Sequence, residues 1–156
     1  MLNNPTNNLA SLPISHRTVF LDVNGARAAR GISANQVNEL VETGKLLWVF
    51  NLARNEKSIR YLRFFAREIA NPSGWSGVQL PEVIAQILPV SRRQFNSAEL
   101  EQWFLISRPT ACHLGSELGG VLKNHAWQVE RSALAGYLES RWLGTAAKST
   151  GKGFKA

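Results

Sequence analysis

The chain is predicted to be α+β: mainly helical with small β-hairpins, and organised as two like halves. Three observations predict it. Short apolar patterns recur at helical spacing, several opened by Ser and closed by Gly. Between them lie brief stretches of strand chemistry, such as "LLWVFNLA" and "VLKNHAWQVE". At "NPSGWSGVQLPEV" (Asn71 to Val83) Pro, Gly and Ser concentrate, and beyond it the order of features starts again. The organisation expected is a disordered lead-in over 1–15, a first unit over 16–70 and a linker over 71–83. A second unit over 84–143 and a basic flexible tail over 144–156 complete it.

In the second half, Ser97 can cap a helix over "SAELEQWF", which places Leu100, Trp103 and Phe104 on one side. "LIS" then breaks the pattern. Ser107 caps "RPTACHLGSEL", with Pro109 in its first turn and Gly119-Gly120 after its end. Ala111, Leu114 and Leu118 line its buried face, leaving Thr110, His113, Gly115 and Glu117 pointing away. Two short helices across so tight a turn form a helix-turn-helix. Val121-Leu122 and Trp127–Val129 flank Lys123-Asn124-His125 as a small hairpin. "RSALAGYLESRW" closes the half as an amphipathic helix, with Ala133, Leu134, Tyr137 and Leu138 inward.

This succession resembles the excisionase/MerR-type winged helix-turn-helix family. The resemblance rests on Ser107-Arg108-Pro109-Thr110 opening the second helix, and on Trp127, Val129, Arg131, Leu134, Tyr137 and Leu138 in the closing motif. It covers about 45 residues. It implies a recognition helix entering DNA and a hairpin wing beside it. Ala111, Gly115 and Ser116 are small where that family usually carries long polar residues, which implies fewer base contacts from this helix.

The first half repeats the order. A short helix from Gly25 to Arg30 is followed by the turn Gly31-Ile32-Ser33. A helix from Ala34 to Thr43 then buries Val37, Leu40 and Val41 and stops at Gly44. "LLWVFNLA" is predicted as a strand, with Leu47, Val49 and Asn51 on one face and Trp48, Phe50 and Leu52 on the other. "RNEKS" turns it into a second strand that would carry Arg60 and Arg63 outward. "GISANQVNELVETGKL" resembles the recognition helices of the same family, so the full expectation is a tandem winged helix-turn-helix.

Composition bounds the function. Of 156 residues 44% are hydrophobic, enough for a packed core. Lys and Arg number 18 against 11 Asp and Glu, a net charge of +7 that favours a polyanionic partner. A single cysteine excludes a disulfide framework and fits a reducing compartment. No apolar run approaches the roughly 20 residues that span a bilayer. The first residues lack the basic and apolar regions of a signal peptide. A cytoplasmic, nucleoid-associated protein without membrane contact is expected.

Catalysis is not expected. Cys112 and His113 are neighbours on a helix and so point about 100° apart, which rules out a nucleophile–base pair. His16, His113, His125 and Cys112 lack zinc-ligand spacing. Asp22 is the only aspartate, and no phosphate-cradling glycine loop is present. Neither metal nor cofactor is expected.

Double-stranded DNA is the expected partner. Asn35, Gln36 and Asn38 are base-reading candidates, because Asn and Gln side chains can bond adenine bidentately. Arg108, Thr110 and His113 are the candidates in the second half. Phosphate and wing contacts are assigned to Arg27, Arg30, Ser33, Lys45, Arg54, Lys57, Ser107, Lys123, Asn124 and His125, with Lys148 in the tail. Trp48, Trp103, Trp127 and Trp142 are predicted to face the core, and Trp75 to cement the halves.

The leading expectation is a sequence-specific regulator, a repressor acting by operator occupancy. The alternatives are an excisionase-like architectural factor that bends DNA and recruits a recombinase, and a winged-helix adaptor that does not bind DNA. A homodimer is a further expectation, with "YLRFF" and "YLESRW" as its contact surface. Contact with RNA polymerase or a recombinase would follow from the regulatory or architectural role.

Overall fold

In the computed structural model, which describes residues 18–53 and 61–144, Asp22 starts the first helix. Its backbone is extended and its Oδ1 accepts the Gly25 N–H at 2.8 Å. Strand β1 (Phe20–Leu21) leads into it, and α1 (Val23–Arg30) ends at Gly31, whose φ of 65° lies in the left-handed region. Arg27 and Arg30 lie in the last turn, where the helix dipole favours them. Ser33 opens α2 (Ala34–Glu42) with a reciprocal capping box: the Gln36 N–H donates to Ser33 Oγ, and the Ser33 N–H donates to Gln36 Oε1.

Two strands and a short helix complete this unit: β2 (Val49–Asn51), β3 (Leu62–Phe65) and α3 (Ala66–Ala70). The sheet is antiparallel in the order β1-β3-β2, with Phe20 opposite Phe65 and Phe50 opposite Arg63. Ala26, Val37, Leu46, Val49, Leu62, Phe64 and Ile69 form its core. The strand expected across "LLWVFNLA" is ladder-paired over only three residues. Its alternation fails because both faces are covered: Val49 joins the core and Phe50 packs against Phe20, with ring centroids 5.5 Å apart. Arg63, expected to point outward, is buried. Its guanidinium donates to the Leu62 carbonyl at 2.9 Å and lies over the Tyr61 ring.

The second unit begins with α4 (Leu80–Ile87), so ordered helix starts inside the segment expected to be a linker. It continues through β4 (Gln94–Asn96), α5 (Ser97–Phe104), α6 (Arg108–Glu117), β5 (Val121–Lys123), β6 (Ala126–Glu130) and α7 (Arg131–Arg141). Asn96, not Ser97, is the N-cap of α5, in a capping box with Glu99. Arg92 holds that glutamate bidentately at 2.7 and 2.9 Å and lies over the Phe95 ring. Ser107 caps α6, and Thr110 donates its backbone N–H to the serine hydroxyl. Asn124 and His125 both take positive φ, 51° and 65°, forming the two-residue turn of a type I′ hairpin.

Both units therefore carry strand, helix, turn, helix, hairpin and helix in one order, and both sheets place the first strand beside the third. Among the described residues the fold is α+β, with seven helices and two three-stranded antiparallel sheets: a tandem winged helix-turn-helix. The first unit takes Phe20–Gly77 and the segment from Ser140; the second is built on Val78–Glu139. No helix among the described residues is long and apolar enough to cross a membrane.

Candidate nucleic-acid interface

A helix that reads a groove needs a fixed start, a packed inner face and a solvated first turn. In α2 the Ser33–Gln36 box fixes the start, Val37 packs inward, and Ala34, Asn35, Gln36 and Glu39 stand exposed. Asn35 offers both its amide groups. Gln36 is exposed, but its Oε1 is held by the Ser33 N–H at 2.8 Å. It thus has a capping role that its residue type alone did not single out. Asn38 is half-buried at the edge of the face. Glu39 and Glu42 add two exposed carboxylates to the same helix. Glutamate can accept from cytosine N4 and repels phosphate.

Positive charge flanks α2 rather than lying on it. Arg27 is exposed, with Nη1 3.4 Å from Asn24 Oδ1, and Lys45 is exposed just past the helix end. Arg30 is half-buried and acts electrostatically on Glu68. Glu68 is itself a buried fixture of this unit. Its two oxygens accept the N–H groups of Leu47 and Trp48 at 2.8 and 2.9 Å, holding the approach to β2. Burial pushes its carboxyl above the ordinary value of 4.5, against the two hydrogen bonds and Arg30, which pull it down. Arg54, Lys57 and Lys148 lie outside the described residues, as do the expected segments 1–15 and 145–156.

In α6 the geometry is less open. Arg108 is exposed at the first helical position and makes no ion pair among the described residues. Thr110 is half-buried, and its Oγ1 accepts from the Ser107 hydroxyl at 2.9 Å. Nε2 of His113 lies 3.0 Å from Glu117 Oε2, so the base-reading candidate already faces a carboxylate one turn on. Cys112 is half-buried and unbridged. Gly115, expected to point away, is buried. A Cβ there would fall 2.5 Å from Trp127 Cβ, so only glycine lets β6 approach α6 this closely. Lys123, Asn124 and His125 are exposed on the wing.

The tryptophans divide. Trp48 and Trp103 are buried, whereas Trp127 and Trp142 are half-buried. Trp142 stacks on Trp48 with centroids 5.1 Å apart and donates its indole N–H to the Leu47 carbonyl at 2.8 Å. Trp75 packs edge-on against Phe65 of its own unit and donates its indole N–H to the Asn71 carbonyl. Part of the surfaces expected to support a dimer is buried within the chain. Leu62, Phe64 and Phe65 of "YLRFF" and Leu138 of "YLESRW" are buried.

Charge separates the units. Phe20–Gly77 holds eight basic residues (Arg27, Arg30, Lys45, Arg54, Lys57, Arg60, Arg63, Arg67) against five acidic ones (Asp22, Glu39, Glu42, Glu56, Glu68). Val78–Glu139 holds five basic residues (Arg92, Arg93, Arg108, Lys123, Arg131) against six glutamates (82, 99, 101, 117, 130 and 139). The chain's net +7 therefore does not come from the second unit. Among the described residues no group of His, Cys, Asp and Glu is placed to hold a metal ion. Comparison with protein-family models, curated proteins and solved structures finds no match to this chain.

Proposed function

We propose that the chain is a sequence-specific double-stranded DNA-binding regulator that acts by occupying its operator, with α2 as the principal reading helix. The observation that carries this reading is the placement of Asn35. It stands exposed on the first turn of a helix whose start is fixed by a capping box, and Arg27 and Lys45 bracket that helix in sequence. An amide at that position suits adenine, and flanking cations suit the phosphates on either side. The second unit, whose segment Val78–Glu139 carries a small net negative charge and sets His113 beside Glu117, contributes Arg108 and wing contacts in a secondary role.

The test is selection of bound duplexes from a random library with the full chain, followed by titration at several salt concentrations. An enriched motif whose affinity falls steeply with salt is the expected result. Recovery of random duplex without a motif removes the base-reading assignment. A reporter placed behind the selected site distinguishes repression from an architectural role, since a bending factor would change DNA shape without blocking transcription.

A further inference from the structure

The two units treat one edge of their sheets differently. In the first, the middle residue of β2, Phe50, pairs with Arg63 on one side and forms an antiparallel bridge with Trp142 on the other. Every residue of β2 is buried. In the second unit the strand in the same place, β5, pairs with β6 alone, and no strand or bridge among the described residues pairs with its outer edge. Val121 is 61% exposed and Leu122 57%. An apolar strand with one unpaired edge is a template for another strand.

The register says what that edge offers. The hairpin turns through two residues, so Lys123 and Ala126, which flank the turn, exchange hydrogen bonds with each other. The next pair, Leu122 and Trp127, is then of the non-hydrogen-bonded kind. The N–H and C=O of Leu122 consequently point away from β6, toward the open edge. Just outside the strand, Gly120 already donates its N–H to the Gly115 carbonyl. The edge thus presents one donor and one acceptor on a single residue, with an apolar side chain there and another beside it.

We propose that β5 is the contact through which two copies of this chain associate, antiparallel and centred on Leu122. A donor and an acceptor on one residue are self-complementary under a two-fold axis. The Leu122 N–H of each copy meets the Leu122 C=O of the other, and each Val121 comes opposite Lys123 of the other copy. That arrangement places no two like charges directly opposite each other. It also gives β5 an antiparallel partner at its middle residue, as Trp142 gives β2 within the chain. A polyanion is the less suited occupant, because the segment Val78–Glu139 that carries β5 has one more acidic than basic residue and the strand has a single cation.

Equilibrium sedimentation of the full chain without DNA, over rising concentration, is the direct test. The expected result is a monomer–dimer equilibrium that Leu122→Lys displaces to monomer, while the exposed-site control Val90→Lys leaves it unchanged. In a Cys112→Ser background, Leu122→Cys should give a covalent dimer under mild oxidation where Val90→Cys does not. Circular dichroism of Leu122→Lys checks that the unit remains folded, and the cysteine variant reports on the contact without added charge. A chain that stays monomeric throughout overturns the proposal. So does a dimer indifferent to Leu122→Lys. If the chain is monomeric and Leu122→Lys alters only DNA affinity, the edge belongs to the DNA contact instead.

Discussion

Gly31 and Leu105 hold the same position in the two units, 74 residues apart. Each ends the first helix of its helix-turn-helix in the left-handed region, at φ 65° and 55°. Each is followed by an isoleucine and then by the serine that caps the next helix. The spacing holds at the start of those helices too, where Asp22 and Asn96 are the N-caps. The turn is one backbone device used twice, and the chemistry at its tightest residue differs.

That difference makes a stability prediction. A side chain in the left-handed region costs roughly 1–2 kcal/mol, and glycine escapes this at some loss of unfolded-state restriction. Leu105 is partly exposed, so removing its side chain forfeits little packing. Leu105→Gly should raise stability by about 0.5–1 kcal/mol, whereas Gly31→Ala should lower it by about 1 kcal/mol. Urea unfolding of both variants measures the pair. A destabilised Leu105→Gly would show that the leucine contributes packing that outweighs its backbone strain.

Gly115 gives a prediction of opposite sense. In a solvated stretch of helix, glycine to alanine is stabilising by about 1 kcal/mol. Here the added methyl would meet Trp127 Cβ at 2.5 Å and Cγ at 2.9 Å, neither of them the far end of a flexible side chain. Gly115→Ala should therefore destabilise the second unit by about 1–3 kcal/mol. Thermal unfolding monitored by tryptophan fluorescence checks it. The Gly136→Ala variant is the control, since a Cβ at Gly136 meets nothing within 4 Å.

Much of this architecture was legible in the sequence, because caps, turn glycines and helical spacing are local signals. Ser33, Ser107 and the hairpin at Asn124-His125 are such cases. What escaped depends on contacts between residues far apart in the chain. Arg63 reads as a surface cation until the Leu62 carbonyl and the Tyr61 ring take its guanidinium. Gly115 reads as a weak point on an exposed face until Trp127 arrives from β6. The two alternating faces of "LLWVFNLA" are both covered, Val49 by the core and Phe50 by Phe20, far away in sequence. For the candidate site, residue type proposed Gln36 as a reader, whereas only the capping geometry shows its carbonyl already engaged.

Glu68 links stability to pH. Its carboxyl titrates above the ordinary 4.5 because it is buried, so between that value and its raised one the folded chain binds more protons than the unfolded chain. Stability contributed by this group should be highest below pH 4.5 and fall as pH rises through the window, levelling once Glu68 is ionised. Glu68→Gln abolishes the titration and leaves one of the Leu47 and Trp48 N–H groups without its acceptor. The variant should be less stable overall and lack the Glu68 contribution to the pH dependence. Unfolding free energies of both proteins between pH 4 and 8 provide the comparison. Parallel profiles would place the shift elsewhere.

The DNA reading separates into two kinds of contact that mutation can distinguish. Asn35 is placed to read a base edge, so Asn35→Ala should cost roughly 1–3 kcal/mol on the selected site and little on random duplex. Lys45 is placed to meet phosphate. Lys45→Ala should weaken binding to both duplexes alike and reduce the slope of log affinity against log salt by about 1. Gln36→Ala is a poorer probe, because it also breaks the capping box with Ser33 and so destabilises α2 itself. Parallel titrations of the two informative variants on specific and random duplex, at two salt concentrations, decide the matter. If Asn35→Ala weakens both duplexes equally, α2 does not read sequence. If Lys45→Ala leaves the salt slope unchanged, the end of α2 does not meet the phosphate backbone.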